Sequence, residues 1–145
     1  MHTHTRAGAG LSLLRDGLRP ISQDALSVYD DVVYHEYGVP ASAEECEALG
    51  RSCQGGTCVV LLNHGLLALG PTVPGTFMRM YMLERACELE LISRTLGAAP
   101  EPISDYVIGK AAERMRKRRA DPGYGVLEWQ GALRTAERAG PDFRR

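Results

Sequence analysis

Cys58-Val-Val-Leu-Leu-Asn-His-Gly-Leu-Leu-Ala-Leu-Gly70 is the stretch on which the rest of this chain is organised. It contains two apolar runs, Cys58–Leu62 and Leu66–Leu69, separated by Asn63-His64-Gly65. Continuous Val/Leu runs of this length, bounded by turn formers, predict buried strands, and the linking tripeptide predicts a hairpin. Asn and Gly are ordinary turn residues because they tolerate positive φ. A histidine in such a turn is not ordinary. It is held rigidly at a sheet end with a ring nitrogen free to face a partner, and the chain offers partners in His2-Thr-His4.

Working outward, Met1–Thr5 alternates and carries two β-branched threonines, which favours an extended strand. Arg6–Arg15 reads as a helix, with Leu11, Leu14 and Leu18 at helical spacing and Gly17 as its C-cap. Ser22 is a candidate N-cap for a short helix through Val28. Val32–Tyr37 is rich in strand formers and is ended by Gly38 and Pro40. Ser42-Ala-Glu-Glu45 fits a capping box that opens a helix running to Gln54-Gly55-Gly56.

After Pro71 the longest helix runs to about Leu96. Phe77, Met80, Leu83, Cys87 and Leu91 form its apolar stripe, and Arg79, Glu84, Arg85, Glu88 and Arg94 its other face. Ala98–Pro102 is a linker. Ile103–Arg119 is a helix with a basic end, read as a solvated face. Asp121–Gly125 is a turn, and Val126–Ala139 is a helix built around Leu127, Trp129 and Leu133. These shifts divide the chain into residues 1–97, part of an α/β domain, and 98–145, a helical extension that packs on its own domain or on a neighbour.

Composition narrows the function classes. The chain has 145 residues, 44% of them hydrophobic, with a formal net charge of −1. That is enough for one domain with a real core, and no global field points to nucleic acid or an anionic membrane. No apolar run approaches the ~20 residues that span a bilayer, and no signal peptide opens the chain, so a cytoplasmic protein is expected. Cys46, Cys53, Cys58 and Cys87 lack the pairwise spacing of a zinc ribbon and are read as reduced thiols.

His2 and His4 leave the same face of an extended strand, with Cα atoms about 6.5–7 Å apart. Two imidazoles there and a third from His64 make a three-nitrogen set with one position left open, the pattern of a catalytic zinc. Their ring nitrogens are then expected within about 3–4 Å of one another. A frayed polar N-terminus is an equally good reading of Met-His-Thr-His taken alone. His35, alternating with tyrosines, is expected to be solvent-facing or hydrogen-bonded and not a ligand.

His2-Thr-His4-Thr5, Gly17-Leu-Arg-Pro-Ile-Ser-Gln23, Asn63-His64-Gly65-Leu66 and Leu83-Glu-Arg-Ala-Cys87 occur in the order that resembles the class II aldolase/adducin family. Leu127–Thr135 is similar to the end of its adducin-like branch. The resemblance implies a three-layered α/β/α domain, zinc on His2, His4 and His64, and a homo-oligomer with sites at subunit boundaries. It also implies cleavage or epimerisation of a small sugar phosphate or related hydroxy-carbonyl compound. The family's acid/base glutamate and phosphate-gripping loops precede the His-x-His strand, so no catalytic residue is assigned here. With no turn or cap before the Met1 strand, an N-terminally truncated, aggregation-prone and catalytically silent domain is expected. Two readings follow, a zinc-dependent aldehyde-lyase and a non-catalytic adducin-like interaction module; retention of all three histidines favours the first. A truncated gene product with no activity is a third possibility, compatible with either ancestry.

Overall fold

A computed structural model describes residues 1–39, 41–140 and 142. Pro40 and the last residues assigned to the helical extension lie outside that set. The elements are β1 (His2–Thr3), α1 (Arg6–Ser12), α2 (Gln23–Leu26), β2 (Val32–His35), α3 (Ala43–Ser52), β3 (Cys58–Leu61), β4 (Gly65–Ala68), α4 (Val73–Thr95), α5 (Asp105–Arg119) and α6 (Val126–Ala139), with a short 3₁₀ turn at Tyr29–Asp31.

The two apolar runs form the hairpin, with Cys58 opposite Ala68 and Leu61 opposite Gly65. Around it the sheet has the order β1-β4-β3-β2. β1 joins β4 antiparallel, and β2 joins β3 parallel. A parallel pair needs a crossover between its strands, and α3 lies in that crossover. Every residue of β3 is buried, as expected for a strand paired on both edges.

Side-chain alternation sorts the sheet into two faces. Cys58, Val60, Leu66 and Ala68 share one face and join a core with Leu11 of α1, Ala25 of α2 and Met80, Leu83, Ala86 and Cys87 of α4. Val33, His35, Val59 and Leu61 share the opposite face, where α3 meets β2. Helices thus lie on both faces of a mixed sheet, an α/β architecture.

Two N-caps act as the sequence predicts, and Thr72, which it did not single out, acts in the same way. The Ser22, Ser42 and Thr72 side chains accept the backbone N–H of Ala25, Glu45 and Gly75. The capping box at Ser42 is only half formed, however, because the Glu45 carboxylate turns to His35 and the Ser42 N–H donates to the Val39 carbonyl. Gly17 is not a C-cap: α1 ends at Ser12 with Leu13 following. Gly17 instead takes a left-handed φ of 60° in a later turn, where the next N–H, of Leu18, donates to the Tyr34 hydroxyl at 2.8 Å.

Two faces differ from expectation. Arg79, placed by periodicity on the exposed side of α4, is 6% exposed. Its Nε donates to Thr57 Oγ1 at 2.9 Å, and its guanidinium sits 5.3 Å from the Tyr124 ring centroid. Arg119, the end of the basic run, is no solvated charge either. It bonds Asp30 Oδ2 at 2.7 Å and the Ser27 carbonyl at 2.8 Å. Trp129 of α6 meets Phe77 of α4 edge-on at 5.2 Å, whereas Leu127 is 77% exposed. Through these contacts α5 and α6 lie on the chain's own α/β core.

Candidate metal centre

Leu62, Asn63 and His64 form the loop between β3 and β4. Asn63 takes the positive φ of 58° that lets the chain reverse, a conformation Asn tolerates better than most residues. The loop is tied to the end of α1: the Asn63 N–H donates to the Ser12 carbonyl at 2.9 Å and the His64 N–H to Ser12 Oγ at 3.2 Å. His64 is thereby fixed at the C-terminal end of β3.

β1 brings the other two imidazoles to the same place. His2 pairs with Leu67 and Thr3 with Leu66, so His2 and His4 lie beside the beginning of β4. Gly65 makes this approach possible, since a Cβ there would collide with the Thr3 carbonyl oxygen and crowd the His4 ring. The three ring centroids lie 4.6, 4.9 and 4.6 Å apart. One ligand atom from each of His2, His4 and His64 falls within 4.8 Å of the others. The Nε2 atoms of His2 and His4 are only 2.7 Å apart, closer than the expected spacing of about 3–4 Å.

The donor set fits a divalent metal on two grounds. His2 Nδ1 lies 2.8 Å from the Leu66 carbonyl oxygen. Nδ1 must donate there, which leaves Nε2 with its lone pair toward the other rings, the outer-shell arrangement that orients metal-bound histidines. Burial, and then the nearby His2 and His4 rings, push the His64 pKa below its ordinary value, against a smaller opposite pull from Glu45. The neutral imidazole so favoured is the ligating form.

Beside His64 opens a cavity of about 170 Å³. Leu49, Leu61 and Leu62 supply apolar wall, and Tyr37 and Glu45 supply polar groups. His35 lines it too but is buried and hydrogen-bonded, with Nε2 2.9 Å from Glu45 Oε1 and Nδ1 3.0 Å from Ser52 Oγ. It stands apart from the three-histidine cluster. Register carried the missing signal: His35 pairs with Leu61 and shares its inward face. The buried thiols are unsuited to nucleophilic chemistry, because burial raises the Cys58 pKa to about 12 and that of Cys87 further.

Residues 1–91 match the family model described as the Class II Aldolase and Adducin N-terminal domain. A Pseudomonas aeruginosa protein named "Putative aldolase class 2 protein" is 34% identical over 99% of this chain and 57% of its own length. Alpha-adducin of Mus musculus is 34% identical over 91% of this chain and 18% of its own. The crystal structure of an aldolase II superfamily protein from Pseudomonas syringae superposes with a TM-score of 0.90 at 33% identity, covering all of this chain and 58% of that one. The L-fuculose 1-phosphate aldolase of Glaciozyma antarctica superposes with a TM-score of 0.66 at 25% identity, over 78% of this chain and 42% of that one. The chain therefore spans little more than half the length of the aldolase-type relative it matches.

Proposed function

Because this chain belongs to the class II aldolase and adducin family, we propose that it carries the metal-binding part of a zinc-dependent aldehyde-lyase. The substrate class is a small sugar phosphate or related hydroxy-carbonyl compound. The convergence of His2, His4 and His64 carries this reading, and the structural likeness to an L-fuculose 1-phosphate aldolase supports the substrate class. Three imidazoles, with no fourth ligand in the group among the described residues, leave a position open, as catalytic zinc sites do.

A bound zinc would supply Lewis-acid chemistry, polarising the oxygens of a hydroxy-carbonyl ligand so that charge develops beside a divalent cation and not in water. The chain's own residues prepare the place. The Leu66 carbonyl orients His2, the Ser12-tied loop orients His64, and Gly65 admits β1 at the required closeness. Leu49, Leu61 and Leu62 keep the adjoining cavity apolar, which strengthens polar interactions made inside it.

Zinc content measured on the purified chain tests the reading. One zinc per chain is expected, with loss of at least 100-fold in affinity in His64→Ala; unchanged zinc in that variant would defeat it. The alpha-adducin relationship favours the second reading, a non-catalytic interaction module, and a chain that binds no zinc would move the balance there. No helix among the described residues is long and apolar enough to cross a membrane. We also assign the chain to a homo-oligomer, since Tyr81, Ile92, Leu96 and Leu127 leave large apolar groups exposed. Sedimentation should show self-association, and a monomer across the whole concentration range would remove that assignment.

A further inference from the structure

A metal at the three histidines would polarise a ligand without moving its proton, which needs a positioned side chain. The wall of the adjoining cavity contains a pair suited to that role. His35 is 6% exposed, and each of its ring nitrogens has a partner, Ser52 Oγ at 3.0 Å and Glu45 Oε1 at 2.9 Å. Ser52 Oγ has a second partner in the Ala48 carbonyl oxygen, at 3.3 Å.

These groups admit two proton arrangements on one set of heavy-atom positions. In the first, the Ser52 hydroxyl donates to Nδ1, and Nε2–H donates to an ionised Glu45. In the second, an added proton sits on Glu45 Oε2, while Nε2–H still donates to Oε1 and the Ser52 hydroxyl still donates to Nδ1. The two states differ by one proton, held on the Glu45 carboxyl group. No buried group loses its partner in either, so the cost of an unsatisfied buried polar atom is avoided throughout.

Glu45 is the member of the pair that faces the cavity. Its side chain is 21% exposed against 7% for His35, and it is the only carboxylate lining the cavity it shares with His64 and Tyr37. Its charge acts on His64. We propose that Glu45 is the proton-transfer group for ligands held at His2, His4 and His64, and that His35, whose Nε2–H donates to Glu45 Oε1, is the positioning residue that holds its carboxyl group. The inference rests on the metal-centre reading. In the step, a ligand O–H bond breaks, the electron pair stays on the ligand oxygen, and the proton passes to Glu45, hydrogen-bonded to His35 Nε2. The reverse step returns it.

Acetohydroxamic acid, which chelates divalent cations after losing its O–H proton, is the probe. Calorimetric titration of the zinc-loaded chain in two buffers of different ionisation enthalpy counts the protons released. Release near zero is expected for the natural chain, because the pair takes the proton up. Release near one is expected for Glu45→Gln, whose amide still bonds His35 and preserves the fold. The ¹⁵N shifts of the His35 ring should move on binding in the natural chain and stay put in the variant. Equal proton release from two chains that each hold one zinc would overturn the proposal, as would zinc-loaded chains that give no hydroxamate heat. A chain that holds no zinc before titration removes the metal reading and this inference together.

Discussion

The two ends of β2 and β3 both gather polar side chains, and they do so on opposite principles. At the N-terminal end, Asp30 and Asp31 face Arg79 and Arg119. Arg119 bonds Asp30 at 2.7 Å and lies 3.5 Å from Asp31, and Thr57 caps Asp31 through its N–H at 3.0 Å and also through its hydroxyl. Each charge meets its opposite. At the C-terminal end, His2, His4 and His64 present three groups of the same kind to one another. Within that cluster the His2 and His4 Nε2 atoms, 2.7 Å apart, meet each other directly, and among the described residues no carboxylate belongs to the group. The contrast separates charges compensated within the fold from a gathering of like groups, although in sequence both look like scattered polar residues.

Removing one member of the compensated end should give the largest effect. Arg119→Met takes one partner each from Asp30 and Asp31, whose side chains are 10% and 16% exposed and which keep Arg116 and Arg79; breaking a buried pair costs at most about 3–5 kcal/mol. Urea unfolding should show a loss of that order. Zinc binding by the fraction still folded should be unchanged, and coupled loss of both properties would erase the distinction between the two ends.

Gly65→Ala strikes the other end. The added Cβ meets the Thr3 carbonyl and the His4 ring, so β1 must shift, and zinc affinity should fall at least tenfold. The stability cost should be smaller, about 1–3 kcal/mol, as for overpacking generally. Zinc affinity equal to that of the natural chain would mean that β1 is not held where the geometry places it.

The smallest effect sharpens the account of the compensated end. Cys58 begins β3 beside it, and burial followed by the Asp31 charge raises its pKa from 9.0 to about 12. A raised folded pKa means that stability is fully present below pH 9 and is lost as pH climbs from there toward 12, because the unfolded chain gives up the proton first. The loss is about 1.4 kcal/mol per pH unit in that window. Urea midpoints at pH 7 and pH 10 should therefore converge in Cys58→Ala relative to the natural chain. An undiminished alkaline loss in the variant would assign it to other groups, with Cys87 the first to examine.

Local pattern carried most of the framework. The Val/Leu runs flanking Asn63-His64-Gly65 specified a buried hairpin, Ser22 and Ser42 specified helix starts, and the His-x-His spacing put two imidazoles on one face. These follow from φ/ψ preference, capping and the period of two along a strand, which act over a few residues. Pairing partners across the chain were not legible. Periodicity put Arg79 on an exposed face of α4, but Asp31 and Thr57, more than twenty residues away, draw it inside. Leu127 fits a helical stripe yet is 77% exposed.

Glu45 shows the division within one residue. Its place three positions after Ser42 is a capping-box signature, and the backbone half of that box forms. Its carboxylate follows a different instruction, issued by His35 on a strand that the sequence expected only to be solvent-facing or hydrogen-bonded. Sequence determined which elements form and which residue types stand at their ends. Tertiary structure decided which of those residues meet, because a buried polar group takes the partner that the packed sheet and helix bring within hydrogen-bonding distance. No local rule encodes that partner.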